Sequence, residues 1–97
     1  MDLRAFQAFI RAAFGEKDAA RGIPGTFMYL IEEVGELAEA LREPEKHDLE
    51  GELADCLAWL VTLSDLAGVD LAAAAEKKYP GRCLRCNQMP CACDTKP

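Results

Sequence analysis

Leu30-Ile-Glu-Glu-Val-Gly-Glu-Leu-Ala-Glu-Ala-Leu41 and Leu49-Glu-Gly-Glu-Leu-Ala-Asp-Cys-Leu57 are the two runs that decide how this chain is read. Apolar residues recur in both at intervals of three and four, the spacing of one face of an α-helix. They are Leu30, Ile31, Val34, Leu37, Ala38 and Leu41 in the first run, and Leu49, Leu53, Cys56 and Leu57 in the second. Each run also carries an acidic pair at i, i+3: Glu33 with Glu36, and Glu52 with Asp55. Side chains three apart on a helix share one flank. On a wheel advancing about 100° per residue, both pairs fall on the same side of their apolar stripe. Two helices packed antiparallel along these stripes would bring four carboxylates to one edge of the seam.

Outward from these runs the helical pattern continues. Asp2 is a candidate N-cap for a first helix whose stripe is Leu3, Phe6, Phe9, Ile10, Ala13 and Phe14. Gly15 is a point where that helix ends or frays, with residues 16–21 as its possible continuation. Arg21-Gly-Ile-Pro-Gly25 reads as a loop, because two glycines and a proline interrupt the pattern. Thr26 then caps a second helix over residues 27–42, which Pro44 stops. A third helix is expected from Asp48 to Ala67, closed by Gly68. A fourth, over residues 71–78, is capped by Asp70 and ended by Tyr79-Pro-Gly81. No strand-like alternation and no internal repeat is visible. The expected fold is all-α, a four-helix bundle over residues 1–80, followed by an irregular Cys-rich tail over residues 81–97.

The totals narrow the function. Ninety-seven residues suit one domain with a small core, and self-association is the usual remedy for a small core. The formal net charge of −6 argues against non-specific binding to nucleic-acid backbones. It leaves a polyphosphate substrate possible, since bound cations invert the local field. No apolar run has the length of a membrane span, and residues 1–11 lack a signal-peptide pattern, so a cytoplasmic protein is expected.

Carboxylates set beside an apolar stripe need an account. Four of them close together raise one another's pKa, and a hard divalent cation relieves the repulsion. Mg²⁺ takes oxygen ligands from a few carboxylates, waters and substrate phosphates. The alternative is that these residues are solvated helix faces, as Glu32, Glu39 and Glu43 look to be from their outward wheel positions. Spacing alone leaves both readings open.

Glu32-Glu33-Val-Gly-Glu36, followed by Glu52-Leu-Ala-Asp55, resembles the E-E-x-x-E…E-x-x-D signature of the MazG-like nucleoside triphosphate pyrophosphohydrolases. Pro24-Gly-Thr-Phe-Met-Tyr-Leu30 and the run after it look like the loop and second helix of that family. The resemblance implies an all-α chain that forms homodimers or homotetramers. It implies a Mg²⁺-dependent enzyme, with Mn²⁺ as a substitute, that cleaves nucleoside triphosphates between the α and β phosphates to a monophosphate and pyrophosphate. Carried over by position, it makes Glu33, Glu36, Glu52 and Asp55 the metal ligands. Glu32 joins the catalytic set with a less defined role, at a second ion or at the attacking water. Lys77, Lys78 and Arg82 are candidates for the substrate's phosphates; the competing reading is a solvated, dipole-favourable helix C-terminus. This chain departs from the family pattern there, having compressed spacing and no Asn before Tyr79. Trp59, four residues after Asp55, is a candidate for stacking on the base, or else a core or interface aromatic.

The tail has its own chemistry. Cys83-Leu-Arg-Cys86 and Cys91-Ala-Cys93 form C-x₂-C-x₄-C-x-C. Four thiols this close in a reducing compartment read as a structural Zn²⁺ site, with a redox-active pair or an exposed disordered tail as alternatives. Cys56 lies apart, on the third helix's stripe, and is expected in the core. Two further functions stay open beside the enzyme above: a non-catalytic helical dimer that presents a zinc-bearing interaction tail, and a phosphoribosyl-ATP pyrophosphohydrolase.

Overall fold

A computed structural model describes residues 1–97. The chain is all-helical, with no strand: α1 (Leu3–Arg42), a single 3₁₀ turn (Pro44–Lys46), α2 (Leu49–Leu66) and α3 (Leu71–Lys78). Three helices thus stand where four were expected, because the first two run on as one element. Only Gly22 inside α1 leaves helical geometry, at φ 81° and ψ 173°, and there the helix is kinked into two arms. A positive φ of this size suits glycine, which has no Cβ to clash.

The expected loop over residues 21–25 therefore reduces to one residue. Pro24 falls in the first turn of the second arm, where its missing N–H has no helical partner to lose. Thr26 is consequently inside the helix, not its cap. It is fully buried, and its hydroxyl accepts from Arg21 Nη1 at 3.3 Å. Gly15 does not interrupt the first arm.

The other helix ends follow local chemistry. The side chains of Asp2, Asp48 and Asp70 accept from the backbone N–H groups of Ala5, Gly51 and Ala73, so each helix start has a capped donor. Helix α2 closes on Gly68 at φ 73°, with Gly68 N–H bonded to Asp65 O and Val69 N–H to Ser64 O. These two bonds satisfy carbonyls that the helix end would otherwise leave bare.

Helix α1 packs mainly against α2. The polar pairs between them run in opposite order: Arg11 with Asp65, Asp18 with Thr62, Arg21 with Trp59. Falling numbers on one helix meet rising numbers on the other, so the two lie antiparallel. The N-terminal arm is also tied to α3. Gln7 is buried, accepts the Ala72 N–H at 2.9 Å, and reaches Asp70, which also pairs with Arg4.

The seam itself differs from the expected one. The face of the second arm turned inward carries Leu30, Glu33, Leu37 and Ala40. Its counterpart on α2 carries Leu49, Glu52, Cys56, Trp59 and Thr62. The apolar stripe of Phe27, Ile31, Val34 and Leu41, with Leu53, Leu57 and Leu60 on α2, lies outside this contact and remains 41–60 % exposed. Glu33 and Glu52 thus line the contact between helices, Glu36 and Asp55 lie at its exposed edge, and the stripes face outward. The radius of gyration is 15.9 Å, against about 12.5 Å for a compact chain of this length. The accessible surface is 7102 Å², against about 5,500 Å² for a compact monomer of this mass.

Candidate metal and nucleotide site

Antiparallel packing sets the middle of α1's second arm against the start of α2. Glu33 and Glu36 come from the first and Glu52 from the second. One carboxylate oxygen from each lies within 4.8 Å of the others. Glu33 Oε2 and Glu52 Oε2 are closed off from solvent and have no hydrogen-bond partner. An unpartnered buried carboxylate oxygen is costly, and two of them in one carboxylate cluster more so. The crowding is visible in the acidities. Burial, and then the charges of Glu36, Asp55 and Glu52, push Glu33 up to about 7. Burial and the neighbouring Glu36 also raise Glu52.

A small hard cation answers this arrangement. The donors are oxygens only, they come from two helices, and two of them lack any other partner. That is the donor chemistry of a Mg²⁺ or Mn²⁺ site that leaves positions open for water and phosphate.

Asp55 stands outside the closest set. It acts on Glu33 through its charge, and it lines a neighbouring cavity of about 280 Å³. Ile10, Phe14, Lys17, Asp18, Arg21, Ala58, Trp59 and Thr62 complete the walls of that cavity. Glu32 is exposed on the outer side of α1. Cys56 is half-buried beside the acids instead of in the core; burial and the charges of Glu33 and Glu52 raise its thiol pKa.

The sequence reading missed the polar network that frames this cavity. Asp18 is buried, receives Arg21 on Oδ1 at 2.7 Å, and accepts the Thr62 hydroxyl on Oδ2 at 3.2 Å. Arg21 also lies over the indole of Trp59 at 4.7 Å and over the ring of Tyr29 at 5.7 Å. The rings of Tyr29 and Trp59 stack at 4.9 Å with 11° between their planes. Arg21 and Tyr29 thus both contact the indole, and Trp59 and Arg21 together line the cavity. Lys17 makes no ion pair in this setting. The available clue was that Asp18 and Arg21 sit at i, i+3 just before the helix break, a pair that looks like surface charge when only spacing is known.

Lys78 and Arg82 belong to a different place. They line a groove of about 450 Å³ with Tyr79, Cys83, Leu84, Met89 and Cys91. Lys77 is in the last turn of α3 and exposed.

A family model described as the MazG nucleotide pyrophosphohydrolase domain matches residues 24–86, more than half of the chain. No curated protein sequence matches it. No single helix is long and apolar enough to cross a membrane.

Proposed function

The chain belongs to the MazG nucleotide pyrophosphohydrolase family, and we propose that it hydrolyses nucleoside triphosphates between the α and β phosphates, releasing a nucleoside monophosphate and pyrophosphate. The observation that carries this reading is the meeting of Glu33, Glu36 and Glu52 from two helices, with two buried oxygens left without partners. These three residues hold the divalent metal, Mg²⁺ with Mn²⁺ as a substitute, and Asp55 completes the set on the cavity side. When bound, such a cation neutralises polyphosphate charge and lowers the pKa of a coordinated water. A nearby carboxylate takes the proton of the attacking water. Glu32 has the weakest claim, since its exposed position supports only an outer role.

The cavity beside Asp55 supplies the nucleoside end. Its volume is at the small end of ligand sites, which suits a base and part of a sugar but not an entire triphosphate. Trp59 lines this cavity and stacks on the base, with Arg21 of the Asp18–Arg21–Thr62 network set over the indole. Lys17 adds an unpaired cation to the cavity wall, available to a phosphate. The groove that holds Lys78 and Arg82 is separate from the acid set, so these two and Lys77 carry less of the phosphate-binding reading than Lys17. The exposed stripe on α1 and α2 supports a homodimer or a larger assembly of like chains.

The test is pyrophosphate release from a panel of ribo- and deoxyribonucleoside triphosphates and phosphoribosyl-ATP, with and without Mg²⁺. Release that requires Mg²⁺ and disappears in Glu36→Gln is expected. A folded protein that releases none from any member of the panel would sink the reading.

A further inference from the structure

Residues 81–97 contain no helix or strand, and their two large apolar side chains, Leu84 and Met89, are exposed. A segment with so little to bury needs another source of order. Its four cysteines supply the only inward convergence. The sulfurs of Cys83, Cys86, Cys91 and Cys93 all lie within 4.8 Å of one another. Two of the separations are 3.8 Å, Cys83 to Cys93, and 3.9 Å, Cys86 to Cys91.

Those distances select among the chemistries open to four thiols. A disulfide requires about 2.05 Å between sulfurs, and all four are free. Thiolates at the corners of a tetrahedron about an ion at ~2.3 Å stand about 3.8 Å apart. The observed separations match the second case. A 4.8 Å span also leaves room for one ion and not for a cluster of several.

The backbone is arranged to suit. Asn87 N–H bonds to Cys83 O at 2.7 Å and Cys83 N–H to Gln88 O at 3.1 Å, which folds the chain between Cys83 and Cys91 into a tight turn. Asn87 takes a left-handed φ of 61°, which asparagine tolerates better than most residues. Backbone N–H groups of Ala92 and Cys93 point at the sulfurs of Cys86 and Cys91, each at 3.3 Å, the donor pattern that favours thiolate over thiol. The local charge closes as well. Arg82, Arg85 and Lys96 outnumber Asp94 by two in this segment. Four thiolates about one divalent ion carry a net charge of minus two, so the loaded segment is neutral.

We propose that Cys83, Cys86, Cys91 and Cys93 bind one Zn²⁺ as a closed tetrathiolate site that orders residues 81–97. The four protein ligands leave no open position, so the ion is structural and independent of the hydrolytic chemistry at the carboxylates. Ligand binding and folding of the segment are then one event, as in other small metal-ordered modules.

The test uses the full chain, prepared under reducing conditions and dialysed against excess Mg²⁺ to clear loosely held metal from the carboxylates. One zinc per chain is expected by elemental analysis, with a sulfur-only shell in X-ray absorption. Replacing zinc by Co²⁺ should give the intense visible bands of a tetrahedral cobalt thiolate. The Cys83→Ser/Cys91→Ser variant should lose the zinc and those bands while keeping its helical circular dichroism, and Cys56→Ser should keep both. Absence of tightly held metal, iron in place of zinc, oxygen or nitrogen in the first shell, or zinc retained by the double variant would each overturn the proposal. None of these readouts depends on nucleotide hydrolysis.

Discussion

Glu33 shows how a single residue is held in an unfavourable place for a purpose. Its carboxylate lies in the contact between α1 and α2, one oxygen is closed from solvent without a partner, and its pKa is driven up to about 7. No positive charge is among the groups that set its acidity, and Arg21 is committed to Asp18 and the aromatic rings. Removing the charge should therefore have opposite effects on fold and function. Glu33→Gln is expected to raise the thermal midpoint of the metal-free chain by a few degrees, because it relieves like-charge repulsion and supplies a donor to neighbouring carboxylates. The same change should abolish Mg²⁺-dependent pyrophosphate release and the stabilisation that added Mg²⁺ confers. Differential scanning calorimetry with and without Mg²⁺, run beside the activity assay, checks both halves. A variant that melts lower than the parent without metal would show that Glu33 is satisfied by something other than a cation.

At the scale of elements, the start of α3 contributes to the acid response. Asp70 caps α3 through the Ala73 N–H and also receives Arg4 and Gln7 from the N-terminal arm. The Ala73 hydrogen bond first, then that of Arg4, hold its carboxyl below the ordinary value of 3.8. The folded chain thus binds this proton less readily than the unfolded one. The stabilisation is complete above the unfolded pKa and disappears as pH falls through the lower, folded value. Asp70→Asn should accordingly be less stable than the parent at neutral pH, and the gap should shrink below about pH 4. Urea titrations at several pH values measure it, and a gap that does not change with pH would remove Asp70 from the acid response. The caps at Asp2 and Asp70 were legible in the sequence, because Asp before an apolar-periodic run has one dominant local use, and Asp48, read only as the start of its helix, proves to cap it as well. The acidic pairs were legible for a similar reason, since i, i+3 spacing fixes a shared flank whatever the tertiary fold. The break at Gly22 was not. Two glycines and a proline mark a discontinuity without saying whether it occupies five residues or one. Gly22 alone takes the positive φ, which leaves Thr26 to be buried instead of capping. The choice of seam was also beyond local pattern. Each helix has an apolar stripe and an acid-bearing face, and which of them meets its neighbour within one chain depends on the angle of the kink and on the Asp18–Arg21–Thr62 network, whose members are 44 residues apart at the ends.

For the whole molecule, the excess of exposed surface sets the terms. The chain exposes about 1,600 Å² more than a compact monomer of its mass would. A standard interface removes about 800 Å² from each partner, and obligate ones remove more. An extensive interface would remove an excess of this size, and the exposed apolar chemistry is concentrated where the stripes of α1 and α2 leave Ile31, Val34, Leu53, Leu57 and Leu60 open. A second copy is the fitting occupant, because it brings the same two stripes and leaves no apolar face unmatched. The buried core of one chain alone is slight: Ile10, Ala40, Val61 and Ala72 are its buried apolar residues. Folding and association should therefore be linked. The midpoint of urea unfolding is expected to rise with protein concentration across the micromolar range, and sedimentation should show no monomer at the concentrations used for assay. Leu57→Lys, which places a charge in the middle of the stripe on α2, should lower the unfolding midpoint at fixed concentration and shift the sedimenting species toward monomer. Hydrolysis by that variant should fall with dilution more steeply than hydrolysis by the parent, since a second copy seated on the stripes would brace from outside the α1–α2 contact that holds Glu33 and Glu52 together. A parent chain that sediments as a stable monomer, with an unfolding midpoint independent of concentration, would mean that the two stripes are tolerated in water and that the acid site stands on the single chain.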